Sequence, residues 1–213
     1  VHQFAKLDLN VAGNFGLSNF NYEPYGFKKQ KFTSGDVHFG VKSTDETLPL
    51  QYRAETNLML YGRQQCQLFG GVNETMVRTL ATVSGSVSDE QTVAIGFAMN
   101  NLIYGNELKE NKDRIKDIFK NRTTLDLNPY YELNNDRVHV GANVDLSFGN
   151  GKAVRVSPDV KAQYVFSDSY VLYAKATGGR QLNDFRRLET YNPYLDPGQE
   201  VKDTYEQLNA GLG

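Results

Sequence analysis

Three consecutive segments between Leu125 and Lys175 alternate apolar and polar residues, each for about ten positions. In the first, Leu125, Leu127, Pro129, Tyr131 and Leu133 share one face, opposed by Asp126, Asn128, Tyr130 and Glu132. In the second, Val138, Val140, Ala142, Val144, Leu146 and Phe148 alternate with His139, Gly141, Asn143, Asp145 and Ser147. In the third, Val154, Val156, Pro158, Val160, Ala162, Tyr164 and Phe166 alternate with Arg155, Ser157, Asp159, Lys161 and Gln163. Successive side chains of a strand point to opposite sides, so each segment has one apolar and one polar face. Strands of roughly 9 to 11 residues with one apolar face are what a bilayer-spanning barrel requires.

The same rhythm predicts further strands over Phe4–Phe15, around Val37–Val41, over Gln51–Tyr61, near Met76–Val87 and Thr92–Leu102, over Tyr170–Thr177, and from about Thr204 onward. The fold class is therefore all-β, an antiparallel up-and-down meander of about ten long strands. Its connections fall into two classes. Those after the second, fourth, sixth and eighth strands are short and rich in Asp, Asn and Ser (STDETLP, SDEQ, NND, SDS). Those after the first, third, fifth and ninth are long, and GNGKA after the seventh is a tight hairpin turn. Alternate connections of a meander lie at the same end, so one end is expected to be trimmed and the other elaborated, as in outer-membrane barrels. Glu107–Lys120 is the one helical candidate, a charged excursion inside a loop.

Composition fits this reading. The 213 residues suit one all-β domain over 1–213, and no linker divides them. A mean hydropathy of -0.53 excludes a bundle of membrane helices but not a barrel, in which only alternate residues face lipid. The net charge of -2 gives no basic footprint for nucleic acid, and none is expected as a partner. Cys66 is the single cysteine, so an intrachain disulfide cannot form.

Candidate chemistry is sparse. His2, His38 and His139 lie on separate elements and no metal site is expected. No G-x-S-x-G elbow or other positioned nucleophile occurs, so neither enzymatic activity nor a cofactor is expected. Aromatic residues gather near strand ends, among them Tyr61, Tyr104, Tyr131, Phe148, Tyr164, Phe166 and Tyr170, which fits an interfacial girdle. The polar-face charges Arg53, Glu55, Asp126, Glu132, Asp145, Arg155, Asp159 and Lys161 mix both signs, as a salt-bridged interior would. The distinctive polar stretch is the loop from Gly178 to Asp203. Long loops on a rigid sheet are where binding concentrates, and Arg180, Asp184, Arg186, Arg187, Tyr191 and Tyr194 are its candidate ligand-binding residues.

The sequence SDSYVLYAKATGGRQLNDFRRLETYNPYLDPGQEVKDTYEQLNAGLG, Ser167 to Gly213, resembles the C-terminal barrel region of TonB-dependent outer-membrane receptors of the Bacteroidetes type. There a strand of the form Y-x-x-Y-x-x-x-x-G-G leads to a loop containing N-P-Y. The resemblance implies a location in the bacterial outer membrane, contact with its lipid, and uptake of a bulky nutrient such as a siderophore or glycan. It also implies an energy-coupling partner of the TonB type. The plug domain, the TonB box and a closing aromatic residue of that family are missing, and its barrel has about 22 strands. The chain opens almost directly in a strand and stops in another. It is accordingly expected to be a fragment of the barrel wall. The alternatives are a soluble antiparallel barrel or sandwich that binds a ligand or surface partner, and a small complete barrel. Periodicity alone does not separate them, because lipid and a protein core both select apolar side chains.

Overall fold

The computed structural model describes residues 2–4, 6–20, 30–45, 47–66, 70–106, 118–149, 154–167, 170–192 and 200–213. They form one 11-stranded sheet in sequence order, antiparallel throughout. The strands are β1 (His2–Phe4), β2 (Leu7–Phe20), β3 (Gln30–Ser43), β4 (Gln51–Cys66), β5 (Gly70–Ser88), β6 (Gln91–Asn106), β7 (Arg122–Asn134), β8 (Val138–Gly149), β9 (Arg155–Ser167), β10 (Tyr170–Gln181) and β11 (Thr204–Leu212). A helix, α1 (Phe185–Tyr191), lies between β10 and β11. The meander that the alternation predicts is the observed fold. It is an open sheet: among the described residues, β1 pairs only with β2 and β11 only with β10.

Two boundaries differ from the sequence reading. The expected first strand is two, β1 and β2, which pair antiparallel with each other. The expected long loop after Tyr61 is mostly strand, because β4 continues to Cys66 and β5 begins at Gly70. Beyond Leu60 both faces of β4 are largely polar, so pairing with β5 sustains the strand where alternation no longer marks it. The charged segment Glu107–Lys120 falls outside the described residues except for its last three.

Register aligns the two faces across the sheet. Leu9, Val41, Ala54, Ala81, Phe97, Leu127, Leu146 and Val156 are successive cross-strand partners from β2 to β9, and all are apolar. The adjacent row, Asp8, Lys42, Arg53, Thr82, Gly96 and Asn128, contains no large apolar residue. One-residue slippage in any strand would break both rows, so the pattern fixes the register. The apolar face is uncovered: Val11 and Val156 are each 66% exposed, Phe15 is 70% exposed and Leu208 61%. On β5 the outward apolar residues run from Val77 to Val87 and on β6 from Val93 to Ile103.

The buried core lies on the opposite, polar face. It consists of Val72, Ile118, Phe119 and Phe185, with Tyr61, Tyr104, Leu188 and Val201 against it. That face is concave. Along a flat sheet, β10 and β5 would stand about 24 Å apart, five strand spacings. The backbone N–H of Phe185, four residues after β10 ends, nevertheless donates to Glu74 Oε2 of β5 at 2.6 Å. Four residues reach about 14 Å when fully extended, and a glutamate side chain covers only part of the remainder. The sheet must curl toward α1.

Candidate functional site

The site is built where the β10–β11 segment folds back into the concave face. Asp184 caps α1, its Oδ1 accepting from the Arg187 N–H at 2.6 Å. Phe185 and Leu188, three residues apart, turn one side of the helix toward the sheet. The Phe185 ring meets Phe119 edge-on at 5.3 Å and Tyr61 at 6.1 Å. Burial of this small apolar cluster docks the segment, and charged contacts then set its position.

Three such contacts reach different strands. Arg186 grips Asp36 of β3 with both nitrogens, at 2.7 and 3.2 Å. Glu189 accepts from the Tyr61 hydroxyl of β4 at 2.7 Å and is paired with Arg63, both side chains being at least 96% buried. Arg122 of β7 pairs with Asp203 at 2.9 Å and donates to the carbonyls of Asn183 and Val201. Val201 also donates its N–H to the Ile118 carbonyl at 2.8 Å, which ties this segment to the β6–β7 connection. The strap therefore spans the concave face from β3 to β7.

Burial without full compensation shifts the carboxyls of this cluster. Glu74 is pushed up to about 7, first by burial and then by the nearby Asp184 charge, against the stabilising N–H of Phe185. Asp184 is raised by burial, opposed by the Arg187 N–H and the surrounding arginines. Glu189 is likewise raised by burial, opposed by Tyr61 and Arg63.

The residues proposed from sequence as ligand-binding are distributed through this architecture. Arg180 points inward to Asp126 of β7 at 2.6 Å, Asp184 is the helix cap, and Arg186 holds Asp36. Arg187 donates to the Leu182 carbonyl at 3.2 Å and lies 5.9 Å from the Tyr191 ring. Tyr191 is 76% exposed, and Tyr194 lies outside the described residues. Arg180 reaches the inner face through an irregularity. On β10, Tyr173, Lys175 and Thr177 share the polar face; the register then shifts between Thr177 and Gly179, so that Arg180 faces inward. Gly179 has a φ of 144°, a backbone conformation that favours glycine.

Sequence reasoning missed Asp36, Arg63, Glu74, Arg122, Glu189 and Asp203. Their partners are distant along the chain, with Asp36 and Arg186 150 residues apart. The one local signal was Asp184 before Phe185-x-x-Leu188, a short cap and apolar pair. The aromatic residues divide between the faces. Tyr164, Phe166 and Tyr170 stack at 6.5 and 5.5 Å on the apolar side, whereas Tyr61 and Tyr104 pack under the strap. His38 Nδ1 lies 2.6 Å from Asn57 Oδ1 and His139 contacts Asn134, so the two histidines do not meet.

Beside the strap, Arg122, Arg155, Arg180 and Tyr205 line a cavity of about 410 Å³ on the polar face. Its size falls among ordinary small-ligand pockets. Comparison with family models, with curated proteins and with solved structures finds no match.

Proposed function

We propose that this chain is a section of the wall of a bacterial outer-membrane β-barrel, its convex apolar face against lipid and its concave polar face toward a lumen. The observation that carries the reading is the partly exposed apolar row from Leu9 to Val156, in register across eight strands, on a face where Val11, Phe15 and Val156 are exposed. Soluble monomers rarely expose contiguous apolar patches beyond a few hundred Å². A bilayer removes that cost, while the paired strand backbones need no water within it. In this reading the β10–β11 segment is an inward-folded loop that narrows the lumen, a part of a receptor of the TonB-dependent kind for a bulky nutrient. Support for that finer assignment is the resemblance of Ser167–Gly213 and the docking of this loop on the concave face.

Reconstitution tests the placement. The chain should refold into phospholipid vesicles with β-sheet circular dichroism, and brominated acyl chains should quench the fluorescence of outward Tyr52, Tyr131 and Tyr164. A monodisperse, folded monomer in detergent-free buffer would instead identify a soluble module.

A further inference from the structure

The 410 Å³ cavity beside the strap is lined by more cations than carboxylates. Lys120, Arg122, Arg155, Arg180 and Lys202 line it together with Glu200 and Asp203. Asp126 stands behind Arg180 and Asp184 acts on Arg122 from behind the wall, so these two arginines are compensated from outside the cavity. Lys120 and Lys202 share Glu200, at 3.4 and 3.9 Å. Arg122 holds Asp203, yet its buried Nε–H finds no acceptor among the described residues.

Arg155 differs from the others. Its guanidinium lies 3.8 Å over the Tyr205 ring, and no described carboxylate pairs with it. Stacking on an aromatic face fixes the plane of the guanidinium while leaving its edge N–H groups free, the arrangement that binds an oxyanion through two parallel hydrogen bonds. Thr124 and Ser147, both buried, add hydroxyls to the same wall. Arg155 stands on β9, Tyr205 on β11 and Arg122 on β7, so rigid strands hold the donors apart at fixed separations.

We infer that this cavity binds the phosphate, sulfate or carboxylate group of a small ligand, with the Arg155 edge as its principal donor and Tyr205 as the platform that orients it. The inference rests on the lumen reading only for the route by which a ligand arrives. Binding to the cavity is measurable wherever the apolar face sits, so failure of either leaves the other standing.

The test is isothermal titration of the refolded full chain in micelles, at low salt, with glucose 6-phosphate, inorganic phosphate and glucose as probes. Glucose 6-phosphate should bind with a millimolar or tighter Kd, and glucose should not. Arg155→Gln should weaken binding roughly tenfold, as expected for loss of a charge-assisted hydrogen bond, and Arg155→Lys less. Lys161→Gln, which removes an exposed cation of the same face outside the cavity, should leave binding unchanged and serves to show that bulk charge is not responsible. Retention of β-sheet circular dichroism in Arg155→Gln separates loss of the site from loss of the fold. Inorganic phosphate binding as tightly as the sugar phosphate supports the oxyanion site itself, without sugar contacts. No heat up to about 20 mM glucose 6-phosphate, equal binding of glucose, or equal losses in Arg155→Gln and Lys161→Gln would each overturn the assignment.

Discussion

Replacing Val144 by arginine tests the proposed membrane-facing surface through its depth dependence. On β8 the outward residues run from Val138 to Phe148. Ten steps rise about 34 Å along the strand, or about 26 Å along the normal at a tilt near 40°, close to the ~25 Å apolar band of outer-membrane barrels. Val144 sits about 16 Å from the Val138 level and 10 Å from the Phe148 level, which in the proposed placement is inside the hydrocarbon, with Val138 at one boundary. An arginine near the midplane costs roughly 2 to 4 kcal/mol, and near the interface about 0 to 1. Val144→Arg should therefore lower the folding equilibrium constant in vesicles by roughly 30-fold to several hundredfold. Val138→Arg should change it by less than about sixfold. The assay is reversible urea unfolding from short-chain phosphatidylcholine vesicles, followed by tyrosine fluorescence and gel mobility. Were Val144, which is 39% exposed in the chain, surrounded by water, arginine would cost within about 0.5 kcal/mol. Equal small effects at both positions would refute the lipid-facing assignment, and equal large effects would indicate a protein core over the whole face.

Other outcomes follow from the strap. Glu74 titrates near 7 when folded, above its ordinary 4.5, so the folded state favours its protonated form. Its contribution to stability is fully present below about pH 4.5 and is lost as pH rises through 7, about 3 kcal/mol across that window. Urea midpoints should fall between pH 5 and 8, and Glu74→Gln should flatten that slope; an unchanged slope would remove Glu74 as its source. Glu189→Gln removes the carboxylate that pairs with the buried Arg63 and should cost about 3 to 5 kcal/mol in urea unfolding, whereas the double replacement Arg63→Met with Glu189→Leu should recover most of it. Full additivity of the two replacements would contradict the pairing. Asp184→Ala removes the α1 cap and should cost about 1 kcal/mol, with faster amide exchange at Arg187 as its local signature. Gly179→Ala forces a side chain into a φ of 144° and should destabilise the chain by more than about 1 kcal/mol, with protease cleavage near Arg180 increased.

The sheet was readable wherever one face is apolar and the other polar. Val138–Phe148 needed nothing beyond its alternation, and β8 spans Val138–Gly149. Where both faces turn polar, as from Gln64 to Cys66 or over Gln30–Asp36, periodicity carries no signal and only the neighbouring strand defines the element. The candidate site was less legible for a related reason. Arg186 and Asp36 are ordinary surface-type residues by sequence, and their meeting depends on curvature accumulated over many strands. The inward turn of Arg180 depends on the shift at Gly178–Gly179; strict alternation would have placed it with the residues facing outward.

Direction along the sheet constrains how it could be completed. Because every pairing is antiparallel and the strands follow in order, β1 and β11 point the same way. Among the described residues β1 covers β2 only from Leu7 to Leu9, which leaves the edge of β2 from Asn10 to Phe20 open among them. An antiparallel ring must contain an even number of strands. Closure therefore requires an odd number of further strands between β11 and β1, an arithmetic that any partner segment, or any second copy of the chain, has to satisfy.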